Sequence, residues 1–365
     1  MKITGIKFIP TSLKLDPPFC PNWDPTPRTN FSSTLTILET DEGVTGFGSG
    51  DTMEGFNGYE KHFIGTELFD IENHVRRLET ISFHGGRYWP IEAAIWDAIG
   101  KAKQKSVAEL FGGKEKSIPA YASTGAVMTP SERAESAKNL LELGFKAMKI
   151  RVPQSDLDLG VRTLKAIRDA VGDKLKIMVD LNQAWRMPGD TRDPLDFKTV
   201  SNFLDACVDY EVFWLEEPLP MEDIGGLHKL QGRGVKIAGG EMVRTMHEVR
   251  TLLAADALDV YQMDVVLSVG LHHTNEIASK AKALGKIFTP HTWSNGYGLM
   301  ANLQVTAGIG GAPFIEFPFD PPTWSTERRD FLLAESIEVD PNGNLWVPNA
   351  PGMGCTPSSA LLQTA

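Results

Sequence analysis

Three short apolar runs in the middle of the sequence each carry a carboxylate at or near the carboxyl end: KIMVDLN (Lys176–Asn182), VFWLEEP (Val212–Pro218) and KIAGGE (Lys236–Glu241). Each run has the length and composition of one buried strand. The segments between them carry helix-start signals, such as Asp193-Pro194 and Thr245 followed by Glu248. This alternation predicts parallel strands covered by helices.

The same alternation extends in both directions along the chain. Thr129, Pro130 and Glu132 form a capping box with proline at the first helical position, which predicts a helix start. Eight β–α units favour a closed parallel barrel of the TIM type over an open sheet. The predicted strands are Ile118–Ser123, Ala147–Val152, Lys176–Asn182, Val212–Pro218, Lys236–Glu241, Val260–Val266, Lys286–His291 and Pro313–Pro318.

The part of the chain before the barrel has a different pattern. Lys2–Phe8 alternates like a strand, and Ser33–Glu39 and Val44–Phe47 predict a hairpin. Asp16–Asn30 is rich in proline and predicts a loop, whereas Tyr59–Phe111 is helical. We therefore expect an α+β capping domain over residues 1–115, completed by the C-terminal segment 325–365, and a (β/α)-barrel over 116–324.

Composition excludes several classes of partner. The chain has 365 residues and a net charge of −11, which argues against nucleic acid because phosphate binding needs a basic surface. Three scattered cysteines form no zinc or disulfide pattern. No run is apolar for the roughly 18 residues that span a bilayer. We expect a cytoplasmic homo-oligomer that binds neither nucleic acid nor membrane.

Ionisable residues stand near the carboxyl ends of seven successive predicted strands. Active sites of barrels lie at this end, and burying so many charges without partners would be prohibitive. These side chains must therefore pair with one another or bind a metal. They are Lys149 and Arg151, Asp180, Glu216, Glu241, Asp264, His291 and Glu316.

Three of these carboxylates come from consecutive strands. Asp180, Glu216 and Glu241 offer oxygen ligands, without Cys or His among them, and such a set suits Mg²⁺ rather than zinc. The alternative for each one taken singly is a structural ion pair with Lys149 or Arg151. Their common position favours one metal ion per subunit.

The motifs as a set resemble the mandelate racemase subgroup of the enolase superfamily, across essentially the whole chain. The resemblance rests on the following motifs: Asp180-x-Asn182, Trp214-Leu-Glu-Glu-Pro218, Gly239-Gly-Glu241, Gln262-x-Asp264, His291, Glu39–Gly48 and AIWDAIGKA followed by LFGG. The resemblance implies that capping-domain loops close over the barrel mouth and set specificity. It also implies that Asp180, Glu216 (rather than Glu217) and Glu241 hold Mg²⁺.

Further roles follow from the resemblance. Asp264 and His291 correspond to a paired base, in which the carboxylate fixes the tautomer of the imidazole. Lys149 and Glu316 would flank the enolate, and Asn182 would reach the α-oxygen of the substrate. Many members carry Lys-x-Lys where this chain has Lys149-Ile-Arg151. Arginine stays protonated and is a poor base, so two-base chemistry is in doubt.

Polar and aromatic residues of loops could line the pocket. A polar, cationic and aromatic lining suits a polyhydroxy acid, and we predict a lyase that dehydrates an aldonate-type sugar acid to its 2-keto-3-deoxy acid. Alternatives are a racemase or epimerase, a cycloisomerase, or a silent metal- or acid-sugar-binding homologue. The candidates are Trp23, Arg28, Trp185, Arg186, Trp293 and Asn295.

Overall fold

The computed structural model describes residues 1–363. Its N-terminal part is an antiparallel sheet in the order β1-β2-β3, and the predicted hairpin joins the last two strands. Gly43 sits in the hairpin turn at φ +78°, a conformation that glycine adopts without steric cost. The strands are β1 (Ile3–Phe19), β2 (Arg28–Thr40) and β3 (Thr45–Gly48).

The predicted bounds of the loop Asp16–Asn30 are wrong at both ends. Strand β1 continues to Phe19, which pairs with Arg28 at the start of β2. Pro17 and Pro18 fit into β1 because it is an edge strand, where a missing backbone N–H leaves no partner unsatisfied. Only the residues between the two strands form the connecting loop, and this loop lies over the barrel.

Three helices follow the sheet: α1 (Ile71–His84), α2 (Pro90–Lys103) and α3 (Val107–Leu110). Helix α2 lies directly against β3. A Cβ atom on Gly46 would lie 2.1 Å from the carbonyl oxygen of Ala94, so this close approach needs glycine. The buried face of α2 and the sheet share one apolar core, which includes Leu38, Ile91 and Ile95.

The barrel contains all eight predicted strands, each parallel to its neighbours, and the fold class is therefore confirmed. The order along the sheet is β10-β9-β8-β7-β6-β5-β4-β11. Several strands end before their predicted limits, so that part of each predicted run forms the loop at the carboxyl end. They are β4 (Ser117–Ser123), β5 (Ala147–Arg151), β6 (Lys176–Asp180), β7 (Val212–Glu216), β8 (Lys236–Gly239), β9 (Val260–Tyr261), β10 (Ile287–Phe288) and β11 (Ile315–Pro318).

Helices alternate with these strands and cover the outside of the barrel. The capping boxes at Thr129 and Thr245 are present, with the threonine side chain and a glutamate three residues later satisfying backbone N–H groups. The helices are α4 (Pro130–Glu142), α5 (Leu157–Val171), α6 (Phe197–Asp209), α7 (Ile224–Leu230), α8 (Met246–Ala254), α9 (Thr274–Ala283) and α10 (Gly296–Ile309).

An apolar layer fills the barrel below the ionisable residues. Ala147, Met178 and Trp214 belong to this buried cluster. Side chains two residues apart on a strand share a face. Lys149, Asp180 and Glu216 therefore point into the barrel interior, one layer closer to its mouth.

The last part of the chain contacts both halves of the molecule. It contains α11 (Thr326–Arg329), β12 (Asn344–Trp346) and α12 (Ser359–Leu362). Strand β12 pairs antiparallel with β4, and the backbone N–H of Met353 donates to Asp97 of α2 at 2.8 Å. The division into domains at residues 115 and 324 stays a prediction. Among residues 1–363, no helix is long and apolar enough to cross a membrane.

Candidate active site

Three buried carboxylates meet at the mouth of the barrel. Asp180 and Glu216 end β6 and β7, and Glu241 follows β8 by two residues. One oxygen from each lies within 4.8 Å of the others. Oε2 of Glu241 is buried and has no hydrogen-bond partner among the described residues. An oxygen-only donor set with an unsatisfied carboxylate atom fits a hard divalent cation such as Mg²⁺.

Lys149 supplies positive charge to this cluster from β5. Its fully buried Nζ contacts Oε1 of Glu216 and lies 2.7 Å from Oε1 of Glu316 and 3.6 Å from Oδ2 of Asp180. A lone buried ammonium group would be costly, and these three carboxylates compensate its charge. Lys149 therefore lies between Glu316 and the carboxylates of Asp180, Glu216 and Glu241, which are called the metal-type triad below.

Arg151 stands on the same strand, closer to the mouth. Its Nη1 contacts Oδ2 of Asp180 and lies 3.4 Å from Oδ1 of Asn182, while its Nε donates to the carbonyl of Thr124 at 3.0 Å. The guanidinium also lies 4.6 Å from the ring centre of Trp23. Nη2 is therefore the nitrogen of Arg151 that remains available to a substrate. A bidentate contact between Arg151 and a substrate carboxylate would require Nη1 to leave Asp180.

Asp264 and His291 form the expected pair. Nδ1 of His291 donates to Oδ2 of Asp264 at 2.9 Å, and Oδ1 of Asp264 accepts from the backbone of Val266 and from Asn302. These bonds fix the ring, so that Nε2 faces Oε2 of Glu241 at 3.7 Å. Burial works against a charged imidazole, but the fields of Glu241, Glu316 and Asp264 raise the pKa of His291 to about 9.

Glu316, on β11, completes the set of charged side chains at the barrel mouth. Its Oε2 accepts the backbone N–H of Thr292 at 2.6 Å, and its Oε1 faces Lys149. Burial alone would raise the pKa of this carboxyl group. The charges of Lys149 and His291 outweigh burial and lower the pKa of Glu316 to about 2, so it is an anion in this structure.

Glu217 is also fully buried, although it lines a neighbouring cavity rather than the one that contains His291. It has φ +44° just after β7, which turns its side chain away from that of Glu216. Neither carboxylate oxygen has a hydrogen-bond partner in the described part of the chain. Burial, followed by the charges of Glu241 and Glu216, raises the pKa of Glu217 well above its usual range.

A cavity of about 500 Å³ opens above the triad and contains His291, Glu241, Arg151 and Asn182 in its wall. Five of the six predicted loop residues lie in its wall. One comes from the β1–β2 connection, one is the first residue of β2, two lie in the loop after β6, and one follows β10. Nε1 of Trp185 donates to Oε1 of Glu241 at 2.8 Å. These five wall residues are Trp23, Arg28, Trp185, Arg186 and Trp293.

Asn295 has a different place from the one predicted. It is the N-cap of α10, where its Oδ1 accepts the backbone N–H groups of Tyr297 and Gly298. Its Nδ2 donates to the hydroxyl groups of Ser33 and Ser49. The side chain therefore joins the capping sheet to the barrel and belongs to the framework of the site.

Other wall residues had no sequence signal that identified them. Asp51 follows β3, Arg87 lies in the turn between α1 and α2, and Arg244 follows Glu241 by three residues. The sequence around Arg87 is a Gly-Gly-Arg turn, which indicates a break between helices and nothing about a site. Only the docking of the capping helices on the barrel brings these residues together.

Comparison with known sequences identifies the family. The sequence profile described as enolase C-terminal domain-like matches residues 132–361, well over half of the chain. The chain belongs to the enolase C-terminal domain-like family. The matched range begins in the first barrel helix and contains every barrel residue of the charged cluster, and the enolase-superfamily resemblance is therefore confirmed.

Relatives of this enolase-family chain include sugar-acid dehydratases. It is 29% identical over 271 residues to the arabinonate dehydratase of Saccharolobus solfataricus, covering 73% of this chain and 68% of the relative. It is 28% identical over 361 residues to the D-xylonate dehydratase of Haloferax volcanii, covering 90% and 84%. A solved enolase-superfamily structure from Polaromonas sp. JS666 superposes with a TM-score of 0.87, at 26% identity, over 100% of this chain and 97% of that one.

Family membership does not by itself fix the reaction. Matches at similar identity include the D-galactarolactone cycloisomerase of Agrobacterium fabrum, at 28%, and the hydrophobic dipeptide epimerase of Enterococcus faecalis, at 25%. The finer assignment must therefore come from the residues of this site.

Proposed function

We propose that this enzyme dehydrates a sugar acid to a 2-keto-3-deoxy acid and that it depends on a divalent metal of the Mg²⁺ type. The observation that carries the proposal is the position of His291. Its Nδ1 is held by Asp264 and its Nε2 faces the metal-type triad at 3.7 Å from Glu241. A carboxylate substrate bound at the triad would thus present its α-carbon to a positioned base.

Asp180, Glu216 and Glu241 would hold the ion. Bound there, Mg²⁺ would neutralise the substrate carboxylate and stabilise negative charge that develops on it. Lys149 adds a fixed positive charge in the same water-poor site, because three carboxylates hold its Nζ in place. The weak acidity of a proton next to a carboxylate makes this electrostatic stabilisation the largest contribution.

His291 would then serve twice. The positive charge of a cation at the triad would oppose the fields of Glu241 and Glu316 that raise the pKa of His291, and so favour the neutral imidazole. Its Nε2 then takes the proton from C2, and the electron pair of the broken C–H bond moves into the enediolate. The enediolate expels the C3 hydroxyl, which takes the proton from Nε2 and leaves as water. The resulting enol becomes the 2-keto acid, and His291 returns to its starting state.

Arg151 favours elimination over inversion. A 1,1-proton transfer needs a base on each face of the α-carbon, and a guanidinium does not give up its proton near neutral pH. Elimination needs only His291 when the C2 proton and the C3 hydroxyl lie on the same face of the substrate. The names of the arabinonate and xylonate relatives support a sugar acid as substrate, while the dipeptide epimerase among the relatives supports epimerisation as the second candidate.

The test is to incubate the enzyme and Mg²⁺ with a stereochemically complete set of sugar acids in D₂O. We expect a 2-keto-3-deoxy acid from a subset of them, detected by the semicarbazone absorbance and by NMR. Recovery of a C2 epimer that carries deuterium, without keto acid, would replace the proposal with an epimerase.

A further inference from the structure

The cavity above the triad is unusually rich in guanidinium groups for a protein of negative net charge. Five arginines line it: Arg28, Arg87, Arg151, Arg186 and Arg244. The carboxylates among its described wall residues are Asp51 and Glu241. Because a polyhydroxy chain carries no charge, hydroxyl groups alone do not require this many cations.

Three of the five arginines lie within ion-pair distance of an acidic side chain. Nε of Arg28 lies 2.8 Å from Oδ2 of Asp24, and Nη1 of Arg151 contacts Asp180. Arg186 has a longer contact of 3.9 Å, from its Nε to Oδ2 of Asp190. These contacts offset part of the positive charge at the loop side of the cavity, because Asp190 also pairs with Arg192 at 2.6 Å and Asp180 with Lys149 at 3.6 Å.

Arg87 and Arg244 lack such a partner. Among residues 1–363, no carboxylate oxygen lies within ion-pair distance of either guanidinium. Nη1 of Arg87 donates to the carbonyl of Met242 at 3.1 Å, which anchors this capping-domain side chain beside the barrel loop that carries Arg244. Burial lowers the pKa of Arg87, and the like charge of Arg244 lowers it further, so the two cations are close enough to repel.

Asp51 only partly offsets this charge. Its carboxylate faces the same cavity, and its attraction acts on Arg87. Asp264 and Glu248 also attract the Arg87 guanidinium, but they lie outside the cavity wall. Within that wall, the two guanidinium groups face Asp51 as their one carboxylate neighbour that acts on Arg87, which leaves one net positive charge there. This balance suits a monoanionic carboxylate, which a planar guanidinium binds through two parallel hydrogen bonds, better than a doubly charged phosphate ester.

We infer that Arg87 and Arg244 bind a second carboxylate at the far end of the substrate, so that the preferred substrate is a sugar diacid (an aldarate) rather than an aldonate. The inference rests on the proposed function and narrows its sugar acid to a diacid, in place of the aldonate that the sequence predicts. One carboxylate of the diacid lies at the triad beside His291, and the other bridges the capping domain and the barrel. Asp51 accepts hydrogen bonds from the hydroxyl groups next to that end.

The experiment compares six-carbon diacids with the monoacids that match them at C2 to C5, with Mg²⁺ present throughout. We expect kcat/KM to favour the diacid by about 10- to 100-fold, the range expected when one charge-assisted contact is lost. Arg244→Gln should lower kcat/KM for the diacid by a similar factor, mainly through KM, and change that for the monoacid less than about threefold. Arg87→Gln should act in the same way.

Arg244 is exposed, so its replacement leaves the fold intact even where Arg87→Gln unfolds the protein. Arg76→Gln is the matched control, because Arg76 is an exposed residue of α1 outside the cavity. Equal loss for monoacid and diacid in Arg244→Gln, or faster turnover of the monoacid by the parent enzyme, would overturn the inference. Preference for a 6-phosphorylated monoacid would replace the carboxylate with a phosphate.

Failure of the proposed function gives a different result. If no acid yields a keto acid, dehydration is wrong, and calorimetry with the Mg²⁺-loaded protein still tests the second anion site. Diacid should then bind about 10-fold more tightly than monoacid, and Arg244→Gln should remove the difference. Equal affinities in the parent protein would reject the second site independently of turnover.

Discussion

Oδ2 of Asp264 and Nδ1 of His291 are 2.9 Å apart, and this single bond decides which nitrogen of the imidazole is free to accept a proton. Asp264 is itself held by Val266 and Asn302, and Nε2 is therefore directed at the metal-type triad. The framework of the protein thus positions the proposed base before any substrate binds, which is the condition for efficient proton transfer.

The first prediction concerns this base. His291→Asn should lower kcat by at least about 10²-fold while the melting temperature and Mg²⁺ affinity stay near those of the parent enzyme, because the principal proton acceptor is removed. Steady-state kinetics and differential scanning calorimetry measure the two effects. His62→Asn, at an exposed histidine outside the cavity, is the control. Near-normal turnover by His291→Asn would mean that another group removes the proton.

The second prediction separates two adjacent glutamates. Glu216→Gln should weaken Mg²⁺ binding by about 100-fold or more, since it removes a charged oxygen ligand from the triad. Glu217→Gln should change the affinity less than about threefold, because Glu217 lines the neighbouring cavity. Isothermal titration calorimetry on both variants measures the difference. Equal losses would show that the ligand set is assigned incorrectly.

The third prediction concerns Arg151. Arg151→Lys should lower kcat/KM for dehydration by about 10-fold or more, because an ammonium group cannot reproduce contacts to Thr124, Asp180 and the Trp23 ring at once. NMR in D₂O measures both the keto acid and any exchange at C2. A variant that dehydrates faster, or that starts to epimerise its substrate, would contradict the role given to the guanidinium.

The fourth prediction is a pH dependence of stability. Glu92 of α2 is fully buried and accepts the backbone N–H groups of Leu271 and His272, so it joins the capping domain to the barrel. Burial raises the pKa of Glu92 from 4.5 to about 7, against the opposing effect of these hydrogen bonds. The native state therefore binds a proton more tightly than the unfolded chain does.

A raised carboxyl pKa contributes stability below pH 4.5, and this contribution is lost as the pH rises to about 7. Glu92→Gln cannot ionise, so its free energy of unfolding should improve relative to that of the parent by about 3 kcal/mol between pH 4.5 and pH 8. Urea unfolding in the presence of chelator measures the difference, with Glu72→Gln on the exposed face of α1 as control. If the difference in free energy of unfolding between Glu92→Gln and the parent does not change with pH, the pKa of Glu92 is not raised.

Periodicity was sufficient to predict the barrel, because each strand has a buried run and several helices have their own start signals. Capping boxes at Thr129 and Thr245 act through residues three positions apart, so one local stretch of sequence contains the whole interaction. The charged cluster was predictable for a related reason. Strand ends in a barrel converge on one rim whatever the details of packing.

The remaining features depend on contacts between distant parts of the chain. Arg87 and Arg244 are 157 positions apart in sequence and share a wall only because α1 and α2 dock against the barrel. Asn295 follows a site histidine and reads as a wall residue, but its N-cap geometry turns it towards Ser33 and Ser49. Pro17 and Pro18 read as loop residues because the sequence does not say which strand lies at the edge.

The contact of Arg151 with Trp23 gives the enzyme a built-in optical reporter. A cation that binds Asp180 would share that carboxylate with the guanidinium, so metal loading should change the charge beside the indole ring. Tryptophan emission is sensitive to such local fields, and the signal that disappears in Trp23→Phe would isolate this ring from the other seven tryptophans of the chain. The loop between β1 and β2 should thus report the state of the metal site, and the fluorescence of Trp23 can be followed during a Mg²⁺ titration.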